Sequence, residues 1–277
     1  MKNILLLTDF SKNSINAINY AIKLIKSDNC HFFVLHVKSS SSYTMDDVMS
    51  AGNESIYNSI IKEAKDKLDD LVEKLKKKFG SNNLKFETIV DFDSLTAAIT
   101  QVVALKQIEL IVMGTNGVTG AKEVLFGSNT INVIKNVDCD ILVIPENFKY
   151  RKVNQIVLPL DPLDSLMGLQ FSRILQFVKK YECKISILRI NQTGSVPDAQ
   201  LTDKEIINDF PKEVQYSYNI IENIPMHYAV SGFVQTHKVD LMMLIEQKES
   251  LLERFFIDSA TTKIGNNLAV PLLVFHK

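Results

Sequence analysis

The sequence predicts an α/β fold in which a five-stranded parallel sheet, covered by helices on both faces, occurs twice in tandem. Three observations carry this expectation. Short apolar runs alternate with helical patterns along the first half, and the second half repeats that order. A glycine-punctuated loop also follows the fourth apolar run and opens into a helical pattern. A length of 277 residues suits one large or two ordinary domains.

Residues 2–8 form a short apolar run and read as the first strand. Residues 11–26 follow with helical spacing in Ile15, Ile18, Ala21, Ile22 and Ile25, and Ser11 stands where an N-cap hydroxyl belongs. Residues 31–37 are the second strand, and the polar, serine-rich residues 39–53 are a loop. Glu54–Phe79 reads as a long amphipathic helix, because Ile61, Ala64, Leu68, Leu71 and Leu75 step three and four apart along one face. A strand at 84–90, a helix at 94–105, a strand at 108–113, a helix at Ser128–Asn136 and a strand at 140–145 complete the first unit.

The second half matches the first in register. Ile4 to Asp9 (ILLLTD) corresponds to Ile156 to Asp161 (IVLPLD), and Leu35-His36-Val37 to Leu188-Arg189-Ile190. From there a constant shift of 131 aligns Ile108 to Met113 with Val239 to Leu244, and Cys139 to Val143 with Val270 to Val274. An internal duplication accounts for this, with the boundary in the polar residues 146–154. The expected domains are residues 1–147 and 152–277, the second shortened between its second and third strands.

Composition narrows the function. Apolar residues make up 46% and charged residues 23%, as in globular proteins, and the net charge of −1 gives no basis for binding nucleic acid or an anionic membrane. The lysines at 74–78 belong to a solvated helix face. No run approaches the ~18–20 apolar residues of a membrane span. The first apolar run is too short for a secretory segment and lacks a cleavage site after it. Cys30, Cys139 and Cys183 have no metal spacing and read as reduced, buried thiols, which suits the cytoplasm. His36 falls in a strand as a structural residue, while His227, His237 and His276 lack metal-site spacing. No catalytic set is legible, and no metal site.

The loop is what carries chemistry. Gly114, Gly117, Gly127 and Ser128 form a Gly-x2-Gly-x9-Gly-Ser pattern between a strand and a helix N-terminus. Glycine tolerates positive φ and lets backbone approach a ligand, and a side chain at Gly114 or Gly117 would take a phosphate's space. Gly127 and Ser128 begin a helix whose free amides and dipole favour an anion. Lys122, between them, reads as solvated. The pattern is not a P-loop, and its place after the fourth strand separates it from the dinucleotide fingerprint.

With Ile4 to Ser11, Leu35 to Val37, and Leu110 through Gly127-Ser128 to Val143, the chain resembles the universal stress protein family as two tandem copies. The resemblance implies Rossmann-like (adenine nucleotide alpha hydrolase-like) domains, with ATP, and Mg2+ accompanying it, bound in the first. Asp9 and Val37 would contact the adenosine part. Gly114, Gly117, Gly127 and Ser128 would hold ribose and phosphates, with Asn129 beside the phosphates and Met113 adjoining the first glycine. Asn116 stands where many relatives carry His. The alternative reading of Asp9 is a cap for the first helix region. In the second copy, Ile245, Lys248, Asp258 and Ser259 occupy the loop positions, so that copy is expected not to take ATP. Pro162 after Asp161 suits the first position of a helix, with Asp161 as a structural cap.

The implied function is regulatory ATP binding in a stress-type protein, with slow hydrolysis at most. The alternative is a protein-interaction scaffold indifferent to nucleotide, with an unidentified protein partner. The final strands, 141–144 and 272–275, would pair across a domain or subunit interface, and two chains could pair again as a homodimer.

Overall fold

The computed structural model describes residues 1–38, 54–80, 82–115, 127–162, 164–191, 197–245 and 270–276, with the side chains of 54–60, 197 and 198 left out. The serine-rich stretch 39–53, the middle of the glycine loop with Gly117 and Lys122, and the second-copy positions Lys248, Asp258 and Ser259 lie outside the described residues.

The first half runs β1 (Lys2–Leu7), α1 (Lys12–Ile25), β2 (Cys30–Val37), α2 (Glu54–Phe79), β3 (Leu84–Asp91), α3 (Leu95–Lys106), β4 (Leu110–Gly114), α4 (Ser128–Asn136) and β5 (Ile141–Ile144). The second runs β6 (Gln155–Leu160), α5 (Leu169–Tyr181), β7 (Lys184–Asn191), α6 (Pro197–Asn208), β8 (Tyr216–Glu222), α7 (Met226–Thr236), β9 (Leu241–Ile245) and β10 (Leu272–Phe275). Hydroxyl caps set two helix starts: Ser11 accepts from the Ser14 amide, and Ser94 from the Ala97 amide. The crossover helix between second and third strands has 26 residues in the first half and 12 in the second.

The ten strands among the described residues form one sheet in the order β3-β2-β1-β4-β5-β10-β9-β6-β7-β8. Neighbours are parallel within each half, and β5 meets β10 antiparallel, with Leu142 opposite Leu273. Successive residues of a strand face opposite sides, so each face has its own core. Ile4, Leu6, Ile18, Leu68, Ile156 and Leu273 share one cluster, and Leu5, Phe33, Ile99, Val157, Leu188 and Leu272 share the other. Both cores run through both halves.

Polar ties reinforce the seam. Asp140 accepts from Arg173 and, at 3.1 Å, from the His276 amide. Lys180 reaches Asp28, and Arg151 reaches Asp240 at 2.6 Å. The three cysteines are buried thiols, and burial pushes Cys30 up to about 11 and Cys139 and Cys183 up to about 12, so none is a ready nucleophile.

Two details differ from the sequence reading. The fourth strand starts at Leu110 because Gln107 turns left-handed (φ 49°) and the Ile108 amide closes the end of α3 on the Val103 carbonyl. Pro162 does not begin a helix: α5 starts at Leu169, capped by Gly168 at φ 96°. Asp161 and Asp164 instead exchange bonds, each carboxylate accepting from the other's amide at 3.2 and 2.7 Å, and hold a separate turn.

Candidate nucleotide site

Parallel sheets bind ligands outside the carboxyl ends of their strands, at the point where the strand order reverses. In the first half that point lies between β1 and β4, from which the chain order runs outward in both directions. A cavity of about 400 Å³ opens there.

The β1–α1 turn is held from several sides. The Thr8 hydroxyl accepts from the Phe10 amide at 3.0 Å, and the Asp9 carboxylate accepts from the Ser11 amide at 3.0 Å. Phe10 adopts φ 63°, a left-handed conformation unusual for a large side chain. Its ring rests 4.6 Å from the His36 ring, and His36 Nδ1 lies 2.8 Å from the Thr8 carbonyl oxygen. His36 is therefore a structural residue of the turn. Asp9 lies two residues before Ser11, which provides the cap, so its carboxylate lines the cavity without being the N-cap of α1. Burial alone would raise the Asp9 pKa. Hydrogen bonds from the Ser11 side chain and backbone, and from Ser14, outweigh that and hold it below the usual carboxylate value.

The cavity gathers Asp9, Val37, Met113, Gly114 and Asn129 from four separate segments. Leu35, Val37, Leu95 and Met113 give it an apolar wall, while Ser11, Asn13, Ser14, Asn129 and Thr130 give it a polar one. Gly127 and Ser128 stand directly before Asn129 at the start of α4 and do not line the cavity among the described residues. Gly117 lies outside the described residues.

The glycines act differently from the expectation of positive φ. Gly127 is extended at φ −65° and caps α4 without a side-chain hydrogen bond of its own, having no side chain to offer the first amides of that helix. At Gly114 the constraint is crowding, which a shift of the Asn13 side chain would have to relieve. A Cβ there would stand 2.9 Å from Asn13 Cγ and 3.0 Å from both ends of its amide. Asn13 escaped the sequence reading, because nothing in the residues around it signals a neighbour on the fourth strand.

The second half departs at the corresponding place. Arg189 takes the position of His36 and is fully buried. It pairs bidentately with Asp203 at 2.8 and 2.7 Å and donates to the carbonyls of Asp161 and Asp164, the latter at 3.0 Å. The Tyr218 hydroxyl donates to Asp203 at 2.6 Å. Buried Ile245 stands where Gly114 stands in the first half. The turn that presents Asp9 in the first half is in the second occupied by its own ion-pair network.

Comparison with known proteins agrees with this architecture. The model of the universal stress protein family matches residues 1–145. The universal stress protein MJ0531 of Methanocaldococcus jannaschii is 29% identical over 143 residues, covering 52% of this chain and 81% of the relative. The universal stress protein MJ0577 of the same organism is 30% identical over 158 residues, covering 52% of this chain and 94% of the relative. A crystal structure of a universal stress protein from Archaeoglobus fulgidus superimposes with a TM-score of 0.73 at 17% identity, covering 99% of this chain and 98% of the other. That last likeness extends the shared fold over both halves. With 145 of its 277 residues matched by the family model, this chain belongs to the universal stress protein family.

Proposed function

We propose that the protein is a regulatory binder of adenine nucleotide, taking ATP in the cavity of residues 1–147 and using residues 152–277 as a degenerate partner domain. The observation that carries this reading is the cavity at the strand-order reversal. Its lining brings together apolar side chains, the Asp9 carboxylate and the N-terminal residues of a helix.

Each part has a task. Leu35, Val37 and Leu95 would enclose the adenine ring. The second oxygen of Asp9 would accept from a ribose hydroxyl, a task suited to a group that stays ionised. The phosphates would lie against the first amides of α4, next to Gly127, Ser128 and Asn129, with Gly117 in the loop between. No cluster of three metal-ligating side chains occurs among the described residues, so Mg2+ would enter with the phosphates. Asp9, the one carboxylate among the described lining residues, is assigned to the ribose, and a signalling or stress-adaptation role with slow hydrolysis at most follows from that assignment.

The second domain would not take ATP, since Ile245 fills the first glycine position and Arg189 commits the neighbouring turn. No helix among the described residues is long and apolar enough to cross a membrane, and we place the protein in the cytoplasm. The scaffold reading loses one docking edge, because β5 is paired with β10 of the same chain. A homodimer would have to form through another face.

Mass spectrometry of the small molecules released on denaturing purified protein tests the reading. Adenine nucleotide in the wild type, lost in a Gly117→Lys variant, is the expected result. Titration of ATP into the wild type with no binding, or into Gly117→Lys with undiminished binding, would refute it.

A further inference from the structure

The cavity has a direction. The strand order β2-β1-β4 sets Val37, Asp9 and Gly114 in a row along its floor, and α4 begins beyond Gly114. Apolar Leu35 and Val37 mark one end, and Gly114 marks the end that faces the helix amides. Asn13 lies at this second end, in contact with Gly114.

Asn13 is set apart from the other lining residues by a buried carboxamide oxygen without a partner, and no bond to either end of its amide occurs among the described residues. Its Oδ1 is sealed from solvent against Gly114 with no partner. A carboxamide with neither end bonded has a donor to offer a ligand. The hydroxyls beside it are engaged. Ser11 accepts from the Ser14 amide at 3.1 Å, and the Ser14 hydroxyl lies 3.1 Å from that of Thr8. The carboxamide nitrogen, Nδ2, is not among the sealed atoms and is the end of the amide left to meet a ligand.

The geometry points to Asn13 as the residue that makes the cavity select phosphorylated nucleosides over the bare nucleoside, by donating an Nδ2 hydrogen to a phosphate oxygen beside Gly114. The inference rests on the proposed nucleotide site and deepens it. A neutral carboxamide suits this place for an electrostatic reason. Asp9, four residues earlier, is held ionised, and a second carboxylate at position 13 would repel phosphate. Gly114 then has two tasks at once: it leaves room for the Asn13 amide and, through it, sets the amide's height above the phosphate end.

Calorimetric titration of adenosine, AMP and ATP into wild type, Asn13→Ala and Asn13→Asp tests this. Hydrogen bonds to charged groups are the strong class, so Asn13→Ala is expected to weaken AMP and ATP about tenfold or more and adenosine less than about twofold. Asn13→Asp is expected to weaken AMP and ATP further still while sparing adenosine. Thermal melts of the empty variants check folding, and Asn13→Ala is expected to melt no lower than wild type because it removes an unbonded amide. Equal affinities of wild type and Asn13→Ala for AMP and ATP would overturn the assignment, leaving the nucleotide site intact. An equal loss for adenosine would overturn it too, placing Asn13 at the nucleoside. If wild type takes up none of the three, the nucleotide reading itself fails, and this inference with it.

Discussion

The Asn13 carboxamide lies so close to Gly114 that a Cβ at Gly114 would meet Asn13 Cγ at 2.9 Å. This contact joins the first turn of α1 to the end of β4, two segments about a hundred residues apart in the chain. Gly114→Ala should therefore destabilise the protein by about 1–3 kcal/mol through crowding. Asn13→Ala in the same molecule should restore most of that. Denaturant unfolding of the two single variants and the double variant measures the coupling, and additive effects would show that the contact is not the cause.

Asp9 should be ionised throughout neutral pH. Its pKa is lowered in the folded state, so the stability it contributes is fully present above its unfolded value of about 3.9 and is lost as pH falls through the lower folded value. Asp9→Asn should accordingly be less stable than wild type near neutral pH, with the difference vanishing in acid. Urea midpoints for the two proteins between about pH 7 and pH 2 provide the check, and a difference that persists unchanged into acid would contradict it.

The Arg189–Asp203 pair should be expensive to break from one side. Both groups are buried, at 0% and 2% exposure, and Asp203→Ala would strand the guanidinium at a cost of about 3–5 kcal/mol. Replacing both partners, as Arg189→Met with Asp203→Leu, should come closer to wild type than the single change. Equilibrium unfolding in urea distinguishes the two, and a double variant weaker than Asp203→Ala would rule out this origin of the effect.

The two halves should unfold together. Leu142 and Leu273 face each other across the β5–β10 seam, and both hydrophobic clusters run through it. Calorimetry should show a single transition, and Leu142→Ala should weaken it by about 2–5 kcal/mol. Two separate transitions in the wild type would mean that the halves share a sheet without sharing stability.

Much of this architecture was readable from local chemistry. Ser11 announces its helix because a hydroxyl three residues before the capped amide is a local signal, and Glu54–Phe79 follows from its apolar stripe. Asp9, Val37, Met113, Gly114 and Asn129 come together because each lies at or just beyond the carboxyl end of a strand or at the start of a helix on that side of the sheet. What stayed hidden depends on distance. Asn13 acquires its meaning only when β4 comes beside α1. Arg189 looks like a surface residue in a strand until the register of α6 brings Asp203 to it. The misplaced start of the second half's first helix has the same cause, since the Asp161–Asp164 turn is secured by Arg189 from the next strand.

The central claim is one competent nucleotide site per chain, in the first half. Isothermal titration of ATP into the purified, nucleotide-stripped protein measures it directly through stoichiometry. Binding of about one ATP per chain, abolished by a charge placed in the first cavity and indifferent to Ile245→Gly, is the expected result. Two ATP per chain, or binding that survives the loss of the first cavity, would contradict it.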